Sequence, residues 1–181
     1  MKLIEKTLSS EVIYDGRVVH LVKDIVLLEN GKKAVREVVK HPGGVCVLAL
    51  TDDKNVVMVR QFRYAHQMTM LEIPAGKLEP GEVPESCGIR ELQEETGYKA
   101  DSFEFFGKLI PTPAYVGEVI HIYLARGLRK SEQRLDDDEF LEVLEVPFEK
   151  AVKMALDGEI QDAKTQSALL KAWILFNNMY S

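Results

Sequence analysis

The sequence has little cysteine, no excess of basic residues and no long apolar run, and each shortage excludes a class of protein. Cys46 and Cys87 are the two cysteines, and they lack the spacing of metal ligands, so a disulfide framework is not expected. The net charge of −6 leaves no basic surface typical of nucleic-acid binding. No apolar run approaches the length of a membrane span, and the first residues lack the apolar core of a secretory signal. We therefore expect a reduced, cytoplasmic protein with neither a nucleic-acid nor a membrane partner.

A chain of 181 residues can bury a real core, and its pattern divides at about residue 40. In residues 1–40 the pairs Asp15-Gly16 and Asn30-Gly31 are hairpin turn signals, which predicts a small antiparallel sheet. Residues 41–181 form the second predicted region, in which the apolar run from Gly44 to Leu50 is typical of a strand buried on both faces. Further strands are predicted from Phe103 to Ile110, Val119 to Ala125 and Phe140 to Val146. With two C-terminal helices, one capped by Asp162, they predict a mixed sheet covered on both faces.

The most informative segment is an acidic helix predicted from Pro84 to Glu95. Proline suits the first helical position, and Gly97 stands where a left-handed C-cap is expected. Glu91, Glu94 and Glu95 are spaced i, i+3 and i+4, so their carboxylates share one helix face. Like charges at this spacing cost roughly 0.2–0.5 kcal/mol per pair in water. A hard divalent cation reverses the sign of that cost, so the pattern predicts a Mg²⁺ site, with Mn²⁺ as the other candidate.

The residues around this helix follow one fixed spacing, with a glycine upstream and a glycine after the last carboxylate. The positions that match are Gly76, Glu82, Arg90, Glu91, Leu92, Glu94, Glu95, Gly97 and Tyr98. The segment resembles the Nudix box, G-x5-E-x7-R-E-U-x-E-E-x-G-U, where U is apolar or aromatic, and both spacers have full length. The resemblance implies an α/β/α sandwich with a mixed sheet and hydrolysis of a nucleoside diphosphate linked to another group. The stretch before the helix, with Pro74-Ala75-Gly76 and Pro80-Gly81, is rich in turn residues and is predicted to be a loop.

Features outside the box resemble the ADP-ribose pyrophosphatase branch of this family. The stretch from Leu71 to Glu82 is one of them, and Pro113 is another, because it stands sixteen residues beyond Gly97 in a loop that resembles the branch's Ser-Pro-Gly-x-x-x-Glu. Ala114 departs from the usual glycine of that loop. By resemblance, six residues are predicted to bind substrate: Arg36, Glu37, Arg63, Lys77, Pro113 and Glu118. Other interpretations stay open: an exposed Arg36–Glu37 ion pair worth little, a proline that ends a strand, and a surface charge at Arg63.

The resemblance also implies a role for each residue of the metal helix and for one loop. Glu91 and Glu95 are the predicted principal metal ligands, assisted by Glu94 and by the carbonyl of Ala75. Arg90 is predicted to orient the glutamates by bidentate pairing. The catalytic set is completed by a general base from the acidic run 136–139, for which we select Glu139, with Asp137 and Asp138 as rivals.

The predicted reaction is the Mg²⁺-dependent hydrolysis of ADP-ribose to AMP and ribose 5-phosphate. Alternatives are a pyrophosphatase for nucleotide sugars, dinucleotide polyphosphates or FAD, and a non-hydrolytic sensor of ADP-ribose. By resemblance we also expect a homodimer in which the N-terminal sheet completes the partner's substrate site. A small sheet is marginal alone, so it should dock somewhere, but the sequence does not tell whether it docks within or between chains.

Overall fold

The computed structural model describes residues 3–135, 137 and 139–177, which divide into two compact units. The first unit contains residues 1–43 and 110–119. Its sheet has three antiparallel strands in the order β1-β2-β3, which are β1 (Lys6–Asp15), β2 (His20–Leu27) and β3 (Lys33–Lys40). Both predicted turns fall between these strands, and Gly31 adopts a left-handed conformation with φ of 79°. The predicted antiparallel N-terminal sheet is therefore confirmed.

The segment 110–119 is held against β3 by backbone hydrogen bonds on both sides of one residue. The amide of Val39 donates to the Tyr115 carbonyl at 2.8 Å, and the carbonyl of Val39 accepts from the Gly117 amide at 2.9 Å. The loop that contains Pro113 and Glu118 thus belongs structurally to the first unit.

The second unit, residues 44–109 and 120–181, is built on a seven-stranded mixed sheet. Its strands are β4 (Gly44–Leu50), β5 (Asn55–Arg63), β6 (Met68–Glu72), β7 (Ala75–Lys77), β8 (Tyr98–Leu109), β9 (Ile120–Lys130) and β10 (Leu141–Pro147). The main order is β10-β5-β4-β9-β8, with β6 beside β5 and β7 beside β4. Only β4 and β9 among these described pairs run parallel.

Helices cover both faces of this sheet, as predicted. They are α1 (Pro84–Thr96), α2 (Phe148–Leu156) and α3 (Ala163–Phe176). Alternate residues of β4 belong to opposite sides: Cys46 and Leu48 pack in the cluster that contains residues of α2 and α3. Val47 packs on the other face with Leu92 of α1. Because β4 is buried on both faces, its continuous apolar run is explained. In the part of the chain that the structure describes, no helix has the length and apolarity to cross a membrane.

Two sequence predictions about this unit are wrong in detail. The turn-rich stretch before α1 contains the short strand β7, because Ala75 and Gly76 pair with β4 opposite Cys46 and Val45. Strand β8 begins at Tyr98 rather than near Phe103, and β9 runs on to Lys130. These extensions carry many charged residues, and cross-strand pairing overrides their weak strand pattern.

Candidate active site

Helix α1 begins at the predicted residue and has the predicted C-cap, and it ends at Thr96, one residue after the predicted end. Pro84 begins it, and Gly97 caps it in the left-handed conformation, with φ of 69° and its amide donating to the Gln93 carbonyl at 2.8 Å. Leu92, on the face of the helix that packs on the sheet, is buried. The register of the helix is therefore fixed from the core side, and the three glutamates follow from that register.

Arg90 lies among three carboxylates and contacts all of them. Its Nε and Nη2 donate to the two oxygens of Glu82 at 3.0 and 3.1 Å, a bidentate pair. Its Nη1 donates to Glu91 at 2.9 Å and to Glu94 at 2.7 Å. The guanidinium beside Glu82 lowers the pKa of that carboxyl to about 2. The structure thus brings Arg90 into contact with Glu91 and Glu94, while its bidentate pair is with Glu82, and its role in orienting the metal ligands stays a prediction.

Glu95 is the most buried carboxylate of the helix, with 3% of its surface exposed. Its Oε2 accepts a hydrogen bond from the Ala75 amide at 2.9 Å. Burial, assisted by the nearby charges of Glu91 and Glu139, raises the pKa of Glu95 to about 8, and the hydrogen bond from Ala75 and the charge of Arg63 oppose this shift. A carboxylate that is buried with so little compensation is a good site for a cation.

The Glu91 side chain packs directly against Gly76 in strand β7. A Cβ atom at Gly76 would come within 1.9 Å of the Glu91 carboxyl carbon, so only glycine leaves room for this side chain. Burial raises the pKa of Glu91, and Arg90 opposes that shift. The charge of Glu139 acts on both Glu91 and Glu95, although it is exposed in the loop before β10. Of its rivals, Asp137 is an exposed turn residue, whereas Asp138, like Asp136, lies outside the described residues.

The donors around α1 fit a hard divalent cation better than a soft one. They are carboxylates, and the Ala75 carbonyl is the further predicted ligand; oxygen donors of this kind suit Mg²⁺ or Mn²⁺. Within residues 3–135, 137 and 139–177, no three histidine, cysteine, aspartate or glutamate side chains converge as a ready-made cage. The assignment of Glu91, Glu94 and Glu95 as metal ligands therefore stays a prediction.

Arg63, predicted to contact phosphate, is held by a buried partner. Its Nε and Nη2 donate to the two oxygens of Glu72 at 2.6 and 2.7 Å. Glu72 is 2% exposed, whereas the Arg63 side chain is 38% exposed. Lys77, the other substrate-binding candidate of this unit, is exposed at the end of β7.

The remaining predicted substrate residues lie in the first unit. Arg36 pairs with Glu5, its Nε donating at 2.9 Å, so the alternative of an Arg36–Glu37 ion pair is wrong. Glu37 is exposed, and so is Pro113, which lies in a turn. The carboxylate of Glu118 lies 3.7 Å from Nδ1 of His41.

Comparison with known proteins decides the family. The NUDIX domain pattern matches residues 40–169, and the nucleoside diphosphate sugar hydrolase N-terminal domain matches residues 5–39. The chain belongs to the Nudix family. It is 47% identical to an ADP-ribose pyrophosphatase of Bacillus subtilis, over 92% of this chain and 91% of that one. It is also 43% identical to a methanol dehydrogenase activator of Bacillus methanolicus, over 91% and 90% of the two chains.

A solved structure shares the fold of this Nudix hydrolase. The crystal structure of an ADP compounds hydrolase superposes with a TM-score of 0.84, at 22% identity, and the match covers 97% of this chain and 96% of that one. The predicted Nudix-type sandwich is therefore confirmed.

Sequence reasoning missed a buried polar group beside the Nudix helix. Glu72 contacts Lys164 as well as Arg63, and Lys164 also contacts Asp162 at 2.9 Å. Thr165 is fully buried, and its hydroxyl accepts from the Ile73 amide at 3.0 Å. The sequence feature that points to this group is the start of an apolar helix: Asp162 caps it, and its first turn contains two polar residues, Lys164 and Thr165.

Proposed function

We propose that this Nudix hydrolase cleaves the pyrophosphate bond of ADP-ribose to AMP and ribose 5-phosphate and that it requires Mg²⁺. The observation that supports this most is the set of carboxylates on α1, in which Glu95 is 3% exposed and Glu91 is held by Arg90 at 2.9 Å. The identity of 47% to an ADP-ribose pyrophosphatase supports the choice of substrate.

Each residue of the site has a part in the proposed reaction. Glu91, Glu95 and Glu94, with the Ala75 carbonyl, would hold Mg²⁺, which supplies positive charge at the pyrophosphate oxygens and polarises water. Arg90 keeps the glutamates in place, because its guanidinium contacts Glu91 and Glu94 within 2.9 Å. Burial of Glu95 keeps this carboxylate away from bulk water, which strengthens its interaction with a bound cation.

Glu139 accepts a proton from the attacking water in this proposal. It is exposed in a loop, yet its charge acts on Glu91 and Glu95, so it is within electrostatic reach of the metal helix. Arg63 neutralises a phosphoryl oxygen, and Lys77 adds a second positive charge. Because charge neutralisation and positioning supply most of the catalysis of phosphoryl transfer, these cations matter as much as the base.

We also propose a cytoplasmic homodimer in which residues 1–40 contribute to nucleotide binding. Arg36, Glu37, Pro113 and Glu118 are the proposed contacts, on the resemblance of their sequences to those of the ADP-ribose branch. Residues 41–181 form the hydrolase domain in this proposal. Sedimentation of the purified protein tests the dimer, and a monomer that turns over ADP-ribose at full rate would contradict it.

The test is to compare the turnover of ADP-ribose, ADP-glucose, NADH and dGTP with Mg²⁺ and with EDTA. We expect equimolar AMP and ribose 5-phosphate from ADP-ribose, with the highest kcat/KM of the four, and no product in EDTA. Faster turnover of another compound would favour a different pyrophosphatase. Tight binding of ADP-ribose without product would favour a sensor.

A second candidate function is the activation of an alcohol dehydrogenase. It is supported by the identity of 43%, over 91% of the chain, to a methanol dehydrogenase activator. Adding the protein to a methanol dehydrogenase should then raise its rate, and the Glu95→Gln variant should not. No change in rate with the wild-type protein would remove this candidate.

A further inference from the structure

The first turn of helix α3 contacts the loop that leads to the Nudix box. Lys164 reaches Glu72, and the Thr165 hydroxyl accepts from the Ile73 amide at 3.0 Å. Both side chains are buried: Lys164 is 11% exposed and Thr165 is fully buried. Asp162 fixes this turn, because it accepts from the Thr165 amide at 2.9 Å and pairs with Lys164 at the same distance.

Every residue of the segment 72–75 has at least one polar group held by another part of the second unit. The Ile73 amide is held by α3, and the Pro74 carbonyl accepts from the Val47 amide at 2.9 Å. The Ala75 amide donates to Glu95 at 2.9 Å. The segment therefore connects α3 to the carboxylate of the metal helix within three residues. Because the ring of the intervening Pro74 fixes its φ angle, we expect a displacement at Ile73 to reach Ala75.

The charges of this group also matter for the substrate. Glu72 is shared between Arg63 and Lys164, so a single buried carboxylate is compensated by two cations. Asp162 offsets the second cation. Without Lys164, the group would carry one more unit of negative charge beside Glu95, at a site that must receive two anionic phosphates.

We propose that Lys164 and Thr165 are positioning residues for the hydrolysis, acting through the segment 72–75. Thr165 holds Ile73 and so sets the Ala75 backbone against Glu95, whereas Lys164 shares the Glu72 carboxylate with Arg63 and offsets negative charge that would face the phosphates. This inference rests on the proposed pyrophosphatase function. Partners that orient metal ligands from behind usually change metal affinity or activity by about 10- to 100-fold when they are removed.

The Thr165 test compares the Thr165→Val and Thr165→Ser variants. Valine keeps the shape of the side chain and removes the hydroxyl, and serine keeps the hydroxyl. Thr51→Val is the matched control, because the Thr51 hydroxyl also accepts a backbone amide, that of Asn55, at 3.0 Å. We expect Thr165→Val to lower kcat and Mn²⁺ affinity by about tenfold or more, with KM little changed, and Thr165→Ser to restore both.

The Lys164 test uses Lys164→Met, Lys164→Arg and the control Lys171→Met. Lys171 lies on the same helix, and its ammonium donates to a backbone carbonyl, that of Phe106, rather than to a carboxylate. We expect Lys164→Met to raise KM for ADP-ribose by about tenfold, because the phosphates meet a more negative site, and Lys164→Arg to recover most of that loss. A role confined to stability would lower the melting temperature in Lys164→Met without this change in KM.

Amide hydrogen exchange at Ile73 and Ala75 separates this inference from the proposed function, because it needs neither metal nor turnover. We expect faster exchange at both amides in Thr165→Val and unchanged exchange in Thr51→Val. If the wild-type protein leaves ADP-ribose intact, the proposed function fails and the exchange result still decides the positioning. Two results would overturn the inference. One is an exchange rate at the Ala75 amide of Thr165→Val that equals the wild-type rate. The other is unchanged kcat and KM in an active variant that lacks both the Thr165 hydroxyl and the Lys164 ammonium.

Discussion

The buried Glu72 predicts a pH-dependent part of the protein's stability that the Glu72→Gln variant should lack. Burial alone would raise the pKa of Glu72, but Arg63 and Lys164 outweigh it and lower this pKa from 4.5 to about 2. Each pKa unit corresponds to about 1.4 kcal/mol, so the carboxylate contributes about 3 kcal/mol at neutral pH. Below pH 4.5 the unfolded chain binds this proton more readily than the folded protein does. The contribution is therefore complete above pH 4.5 and is lost as the pH falls towards about 2.

Urea unfolding of the wild-type and Glu72→Gln proteins at several pH values measures this contribution. We expect the variant to be less stable by about 3 kcal/mol at pH 7, because Arg63 and the largely buried Lys164 both lose the charge of the Glu72 carboxylate. The difference should shrink steadily between pH 4.5 and pH 3. Glu142→Gln is the control: Glu142 pairs with Arg60 at 3.0 Å but is 61% exposed, so its loss should cost less than about 1 kcal/mol. A Glu72→Gln deficit that does not change with pH would refute this reasoning.

Three further variants test the metal helix. Glu95→Gln should lower turnover by orders of magnitude. Because the pKa of Glu95 is raised to about 8, the metal-free wild-type protein should also lose stability as the pH rises from 4.5 to 8. Thermal melts should show no such loss in the variant. Gly76→Ala should leave stability nearly unchanged in a thermal melt but weaken Mn²⁺ affinity by about tenfold in calorimetry, because its Cβ would lie 1.9 Å from the Glu91 carboxyl and displace it. Gly88→Ala should destabilise the protein by about 1 kcal/mol in urea, because its Cβ would lie 2.8 Å from Phe103 and that crowding exceeds the gain in helix propensity. Near-normal turnover, unchanged Mn²⁺ affinity or increased stability, respectively, would contradict these expectations.

Local signals were enough to predict the acidic helix α1. Pro84 and Gly97 mark its ends, and the i, i+3, i+4 spacing of the glutamates fixes their common face. The strand β4 was equally clear, because a strand buried on both faces needs a continuous apolar run. These features depend on neighbours within a few residues, so the sequence contains them directly.

The buried polar group could not be predicted, because it depends on contacts between distant parts of the chain. Glu72 and Lys164 are 92 residues apart in sequence, and nothing local says that they meet. The short strand β7 was missed for a similar reason: its turn-rich sequence forms a strand only because β4 offers an edge to pair with. Arg63 was predicted from resemblance, but its bidentate contact with Glu72 required the structure.

Calorimetric titration of metal tests the magnesium assignment most directly. Mg²⁺, and Mn²⁺ in parallel, is added to the wild-type protein and to the Glu91→Gln/Glu95→Gln double variant, each with a non-hydrolysable ADP-ribose analogue. We predict saturable uptake by the wild-type protein and none by the double variant, with both proteins still folded by circular dichroism. Absence of uptake by the wild-type protein, or equal affinity in the two proteins, would contradict the assignment of the α1 glutamates as metal ligands.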